Sequence, residues 1–354
     1  MRKLLHIVGN RPQFIKLAVL HEEIADNGGP EQAIIHTGQH FSYQMNELFF
    51  KELSIPSPDV NFNIRHPSPN QFIAQAADAL QDYFSKEKNA MALVYGDTNT
   101  TLAAAIAAKR TGTPLLHFEA GVRTGDMSMP EEINRLLTDR LADINYCCTQ
   151  KNYNTLLNEG YGKSIASQPL LTGDLMLDAF IKIAPGHAYP GLPSGFVLCT
   201  IHRAANLGNR EHLQNIIDGL NQLHRQIPVV MPVHPHTEKK LDEFGLTAHF
   251  VCLPPVGYPE MKRLLNDAAF VITDSGGTSR EAYFSRKASL IIMEKPFWPE
   301  IIEAGCALQT DASTHSILEN VQQLNYLQSH FNNSIFGDGN AARSIRENIQ
   351  SLDI

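Results

Sequence analysis

Short apolar runs alternate with longer, helix-patterned segments through most of this chain, and that order leaves few folds open. Lys3 to Val8 leads into a helix from about Pro12, and Ala33 to His36 runs through Thr37-Gly38-Gln39-His40 into a helix over Gln44 to Leu53. Ala92 to Tyr95 precedes a helix over Thr100 to Arg110, Leu115 to Glu119 precedes one over Glu131 to Ala142, and Ile144 to Cys148 precedes Gln150 to Glu159. The short runs are continuously apolar, as strands buried on both faces must be, so the pattern predicts a parallel sheet covered by its crossover helices. The first half reads as Rossmann-like.

The order restarts further on. Pro185-Gly186-His187-Ala188-Tyr189-Pro190-Gly191-Leu192-Pro193-Ser194-Gly195 reads as a surface loop near a domain junction, because Pro and Gly punctuate regular structure. Strand candidates follow at Phe196 to Thr200, Val229 to Val233, Phe250 to Leu253, Phe270 to Thr273 and Ser289 to Met293, with helices such as Arg210 to Gln226 and Pro259 to Ala268 among them. A length of 354 residues suits two domains better than one core. The expectation is an α/β protein of two Rossmann-like domains facing across a cleft.

Composition narrows the function. With 43% apolar and 19% charged residues, the chain has the make-up of a packed protein. A formal net charge of −8 without a long Lys/Arg run argues against a nucleic-acid partner, which calls for a basic surface. No run of about 18 apolar residues is present to cross a membrane, and Met1 to Gly9 reads as the first strand rather than a leader. Five cysteines, an odd number without C-x-x-C spacing, fit reduced and buried thiols in a cytoplasmic protein.

Open α/β sheets bind ligands at the carboxyl ends of their strands. Asp97, in Val94-Tyr95-Gly96-Asp97-Thr98, and Glu119, in His117-Phe118-Glu119-Ala120-Gly121, end successive strands, where carboxylates are placed for proton transfer. Glu131 and Glu132 open the next helix, where the dipole stabilises an acidic side chain whatever its use. Gly9-Asn10-Arg11-Pro12-Gln13-Phe14-Ile15-Lys16 places Arg11 and Lys16 at a helix start after a strand, an anion site in outline although it has neither the P-loop nor the G-x-G-x-x-G pattern. In Thr273-Asp274-Ser275-Gly276-Gly277, small residues admit a phosphate to backbone donors, the Ser275 hydroxyl adds a bond, and Glu281 stands within reach of a ribose. A tight turn needing glycine at positive φ would account for the same two glycines. His202 and Arg203 follow a strand, where a cationic side chain would face the leaving group of a phosphate ester. His234-Pro235-His236 has an H-x-H spacing without a third ligand, so no metal site is expected.

Together with His36-Thr37-Gly38-Gln39-His40, Pro130-Glu131-Glu132-Ile133-Asn134-Arg135 and Gly337-Asp338-Gly339-Asn340-Ala341, these segments resemble, in order and over nearly the whole chain, the non-hydrolysing UDP-N-acetylglucosamine 2-epimerase family. The resemblance implies a glycosyltransferase-B-like fold, usually dimeric, whose final helix crosses back to the first domain. That places residues 1–172 and 341–354 in the first domain and 173–340 in the second. It implies elimination of UDP from C1 with loss of the C2 proton, giving a 2-acetamidoglucal, then re-addition with the proton delivered to the opposite face. Asp97, Glu119 and Glu131 would be the acid/base carboxylates, with His202 beside the leaving diphosphate. Arg11 and Lys16 would hold the diphosphate from one domain and Ser275, Gly276 and Gly277 from the other, with Glu281 on the ribose and Arg135 among the UDP-sugar contacts. No cofactor is implied, because nothing is oxidised.

The chain departs from the family pattern in places. Ala204-Ala205-Asn206 stands where a Glu commonly follows the His-Arg pair, Glu294 stands for an Arg, and Lys295-Pro296-Phe297-Trp298 replaces a more polar stretch. The loop before Pro130 is short, as in relatives acting on UDP-2,3-diacetamido-uronates. The reading is a cytoplasmic, homodimeric epimerase feeding surface-polysaccharide synthesis, with UDP-GlcNAc and UDP-ManNAc as the default pair. A modified UDP-sugar is the alternative, and a sugar transferase on the same architecture is a rival, since fold does not fix function.

Overall fold

A computed structural model of the chain describes residues 2–39, 50, 52–324, 327, 331 and 334–352. His40 and most of the helix expected over Gln44 to Leu53 lie outside the described residues. The chain divides into two units, Met1–Lys182 with Ser334–Ile354, and Ile183–Asn333. The first limit differs from the expected 172/173 because the helix Leu175–Lys182 packs against the first helix of the first unit, and the second differs from 340/341 because Phe336 O accepts from Asp174 N at 3.0 Å.

The first unit carries a seven-stranded parallel sheet: β1 (Lys3–Val8), β2 (Gln32–His36), β3 (Val60–Asn61), β4 (Ala90–Tyr95), β5 (Leu115–Phe118), β6 (Ile144–Cys147) and β7 (Gln168–Leu171). Its order is β3-β2-β1-β4-β5-β6-β7. Every residue of β4 is buried, as the continuous apolar run requires of a central strand. Around the sheet lie α1 (Arg11–Asn27), α2 (Pro69–Lys86), α3 (Asn99–Thr111), α4 (Pro130–Leu141), α5 (Gln150–Asn158), α6 (Leu175–Lys182) and a late helix, Ala341–Ser351.

Local chemistry explains the helices nearest the site. Thr98 caps α3 by accepting from Thr101 N, Gly112 ends it at φ 70°, and Lys109 and Arg110 lie in its last turn. Ala103, Ala104, Ala105, Ala107 and Ala108 are all buried, and their small side chains let α3 lie close to α2 and the sheet. The late helix buries Ala341, Ile345 and Ile349, a stripe at four-residue spacing, and packs against α1. Asp178 accepts its first free amides, Ala341 N at 3.2 Å and Ala342 N at 2.7 Å, and Arg346 Nε donates to Glu23 at 2.9 Å.

The second unit repeats the plan with β8 (Val197–Thr200), β9 (Val229–Pro232), β10 (Val251–Leu253), β11 (Phe270–Thr273), β12 (Ser289–Ile292) and β13 (Ala307–Thr310), all parallel in the order β10-β9-β8-β11-β12-β13, and with the helices α7 (Ala204–Leu207), α8 (Arg210–His224), α9 (Pro235–Phe244) and α10 (Tyr258–Asp267) before its fifth helix. Four cysteines are buried as expected, whereas Cys252 on the edge strand β10 is exposed. Among the described residues no helix is long and apolar enough to cross a membrane. In each unit the strand order reverses at one point, β1 beside β4 and β8 beside β11. Ligands of open α/β sheets bind at the carboxyl ends of the strands there.

Candidate active site

In the first unit the loops after β1 and β4 are tied together. A Cβ on Gly9 would fall 2.2 Å from Thr100 Oγ1 and 2.7 Å from Thr37 Oγ1, so crowding demands glycine there. Gln13 accepts from Gly9 N at 2.7 Å, and its amide donates to Tyr95 O at 2.9 Å and Thr98 Oγ1 at 3.0 Å. One turn along α1, Lys16 is buried and ion-paired with Glu119. Arg11, in the first turn, stays partly exposed.

Asp97 follows Gly96, which turns the chain at φ 64°. Its carboxylate is held by Arg135, which donates to Oδ2 from Nη2 and, at 3.1 Å, from Nε, while Asn134 Nδ2 holds the Asp97 carbonyl at 2.9 Å. Arg135 Nη1 also donates to Glu132 Oε2 at 2.6 Å. Burial opposes charge on Arg135, but the carboxylates of Asp97 and Glu132 outweigh it and raise its pKa. Glu119 takes φ 72°, a left-handed conformation that costs a non-glycine residue about 1–2 kcal/mol, so its carboxylate leaves the strand end in a direction that ordinary backbone would not give.

The two adjacent glutamates of α4 separate cleanly. Glu132 is buried and accepts from Thr124 N, Thr124 Oγ1, Gly125 N and Arg135; although burial favours its neutral form, those donors hold its pKa below the usual value. Glu131 is exposed and stays available. The pairing of Arg135 to Asp97 and Glu132 is the feature the sequence reading missed. A cation placed among acidic residues, Glu-Glu-Ile-Asn-Arg, was the available signal.

In the second unit, Asp274 at the end of β11 is fully buried and organises the loop after β8. It accepts from His202 N at 3.0 Å, Arg203 N at 2.9 Å and Asn206 Nδ2 at 3.0 Å, and His202 Nδ1 lies 3.7 Å away. His202 is left exposed at the strand end. The Ser275 hydroxyl caps the helix α11 (Gly276–Phe284) by accepting from Thr278 N at 3.2 Å, which leaves its proton to donate. Glu281 is buried in that helix.

Neither Gly276 nor Gly277 has positive φ, so the turn does not explain them. A Cβ on Gly276 would meet the Phe297 ring at 2.7 Å. Phe297 in turn lies under the Arg203 guanidinium, 4.6 Å from its ring centroid, and Trp298 Nε1 donates to Gly276 O at 3.0 Å. The departures therefore divide: Glu294 and Ala205 are exposed, while Phe297 and Trp298 pack on the start of α11. His234 of the H-x-H segment serves as a helix cap, its Nδ1 accepting from His236 N. Among the described residues no group of three His, Cys, Asp or Glu side chains is arranged to hold a metal ion.

Comparison with known proteins matches residues 22–350 to the family model of UDP-N-acetylglucosamine 2-epimerase. The chain belongs to the UDP-N-acetylglucosamine 2-epimerase family. Within that family it is 38% identical to the UDP-2,3-diacetamido-2,3-dideoxy-D-glucuronate 2-epimerase of Pseudomonas aeruginosa, covering 99% of this chain and 100% of that protein. The UDP-GlcNAc 2-epimerase of Methanocaldococcus jannaschii, solved with UDP-GlcNAc and UDP, superposes with a TM-score of 0.90 at 31% identity, covering 98% of this chain and 99% of that one. The Neisseria meningitidis enzyme bound to UDP-GlcNAc gives 0.89 at 28% identity over 99% and 100%. The expected glycosyltransferase-B-like architecture, epimerase family and isomerase class all hold.

Proposed function

We propose that the protein is a non-hydrolysing 2-epimerase of a UDP-2-acetamido sugar, interconverting UDP-GlcNAc and UDP-ManNAc. The observation that carries this is the state of Asp97, a carboxylate with one oxygen fixed by a buried arginine, set where the strand order reverses and close in the fold to the Lys16–Glu119 pair. In this reading α11, Ser275 and His202 take the uridine diphosphate, Glu281 the ribose, and Arg11 and Lys16 the diphosphate from the first unit. The carboxylates of Asp97, Glu119 and Glu131 work on the sugar ring. A carboxylate takes the C2 proton, the C2–H electrons form the C1=C2 bond, and the C1–O bond breaks to release UDP. Return of UDP to C1, with a proton delivered to the other face of C2, gives the epimer. The sequence is redox-neutral and needs no nicotinamide. Arg135 contributes by fixing Asp97 rather than by touching sugar.

A second reading takes a UDP-2,3-diacetamido-uronate as the substrate. The Pseudomonas aeruginosa relative and the packing of Phe297 and Trp298 against α11 favour it. We also assign the protein to the cytoplasm and to a homodimer. Ile133 and Leu137, one turn apart on α4 and 39% and 47% exposed, supply an apolar face for a second copy. Light scattering that reports a monomer would rule the dimer out. Proton NMR of the protein with UDP-GlcNAc, and separately with UDP-2,3-diacetamido-2,3-dideoxy-D-glucuronate, separates the two substrates. Conversion of neither overturns the proposal.

A further inference from the structure

Asp139 on α4 and His117 on β5 are fully buried, and neither has a part in the reaction outlined above. His117 Nδ1 lies 2.8 Å from Asp139 Oδ1, and its Nε2 donates to the Gly96 carbonyl at 2.7 Å. The other oxygen of Asp139 accepts from Gly121 N at 3.2 Å and Arg123 Nη1 at 2.6 Å. Burial alone would favour neutral Asp139, but His117 and Arg123 outweigh it and hold its pKa below the usual carboxylate value.

These bonds end on two consequential pieces of backbone. The Gly96 carbonyl shares a rigid peptide plane with the nitrogen of Asp97, so fixing that oxygen fixes where the Asp97 Cα begins. Gly121, at φ 79°, lies two residues after Glu119, and a Cβ there would fall 2.4 Å from Asn152 O, so the segment has little room to shift. A buried ion pair adds little to stability compared with apolar packing. A single side chain bonded toward both carboxylate-bearing loops has a geometric use instead.

We infer that Asp139, acting through His117 on one side and Gly121 on the other, is a positioning residue that holds Asp97 and Glu119 at a fixed separation and aim. The inference rests on the acid/base reading of those two carboxylates. Proton transfer at carbon depends on such placement, and about 1 Å of misplacement costs on the order of a hundredfold.

The test uses Asp139→Asn, His117→Leu and His117→Gln, the last keeping an amide donor near the position of Nε2. With melting temperatures close to wild type, the first two are expected to lower kcat at least about tenfold with KM within about threefold, and His117→Gln to recover part of the loss. Because His117 acts through Asp97, His117→Leu combined with Asp97→Asn is expected to be no slower than Asp97→Asn alone. Fully multiplicative losses, or an unchanged kcat in the folded variants, would overturn the inference. A readout independent of activity is amide hydrogen exchange. Faster exchange confined to the segments around Gly96–Thr98 and Gly121–Arg123 in Asp139→Asn, or in His117→Gln should Asp139→Asn not fold, supports positioning; unchanged exchange there refutes it. A wild-type protein that epimerises neither UDP-sugar fails the proposed function and leaves the exchange result standing on its own.

Discussion

Arg135 directs Nε and Nη2 at the same oxygen of Asp97, Oδ2, and no hydrogen bond among the described residues reaches Oδ1. One oxygen fixes the carboxylate plane, and in the proposed reaction the other takes the proton. Such an arrangement suits a base acting on a carbon acid, where aim matters as much as strength.

Asp97→Asn keeps the shape but removes the carboxylate that the proposed function uses as a base. We expect kcat to fall at least about a hundredfold with a small change in KM, in line with the usual contribution of a positioned acid/base group. Steady-state kinetics on the accepted UDP-sugar checks this, and a near-wild-type rate returns Asp97 to a structural role.

Elimination and re-addition make C2 exchangeable. Turnover in heavy water is expected to place deuterium at C2 of the product and, through reversal, of recovered substrate, read by proton NMR and mass spectrometry. Product without label at C2 would exclude the proposed chemistry.

Arg135→Met leaves Glu132 buried without its cation and Asp97 unclamped. Removing one partner of a buried ion pair typically costs about 3–5 kcal/mol, so chemical denaturation is expected to show a loss of that order. Arg135→Met paired with Glu132→Gln should be milder than the single change. A loss below about 1 kcal/mol for Arg135→Met would show that the pair is dispensable.

Gly276→Ala forces the Phe297 ring off the start of α11. Calorimetry with UDP is expected to show affinity reduced at least about tenfold, roughly 1.4 kcal/mol, with recovery in the double variant Gly276→Ala, Phe297→Ala. Unchanged UDP affinity in Gly276→Ala would separate this helix start from nucleotide binding.

Asp178 tests the pH dependence of stability. Burial, which outweighs the Ala341 and Ala342 amides, pushes its pKa up to about 6. The folded state then binds a proton that the unfolded chain has released, so this group's contribution is complete below about pH 4 and is lost as pH rises through 6. The loss amounts to about 1–3 kcal/mol. Melting temperatures across pH 4–7 are expected to fall more steeply in wild type than in Asp178→Asn, and parallel curves would show that Asp178 is not the cause.

The alternation of apolar runs and helices was legible because a strand covered on both faces must be continuously apolar. The positions of Asp97, Glu119 and His202 at strand ends followed from the same pattern. Helix α2 carries a legible stripe, Phe72, Ala76, Leu80 and Phe84 at four-residue spacing, but no long apolar run precedes it to mark it out. What the sequence hides is pairing at a distance. Arg135 and Asp97 stand 38 positions apart, and nothing in their neighbours states that they meet. The left-handed turn at Glu119 was equally hidden, because only tertiary contacts can impose that conformation on a residue with a side chain. The reason for Gly276 lay 21 positions away in Phe297, whose ring takes the place of any side chain there.

The helix Ala341–Ser351 seals α1 with Ile345 and Ile349, although residues 183–333 form a separate body before it in the chain. Synthesis runs from the N-terminus, so the ribosome delivers all seven strands of the first sheet and then an entire second body before the piece that covers α1 emerges. Until then α6 and β1 cover α1 in part, and the strip beneath the late helix stays uncovered. A premature stop late in the message would strike the first-made unit rather than the last.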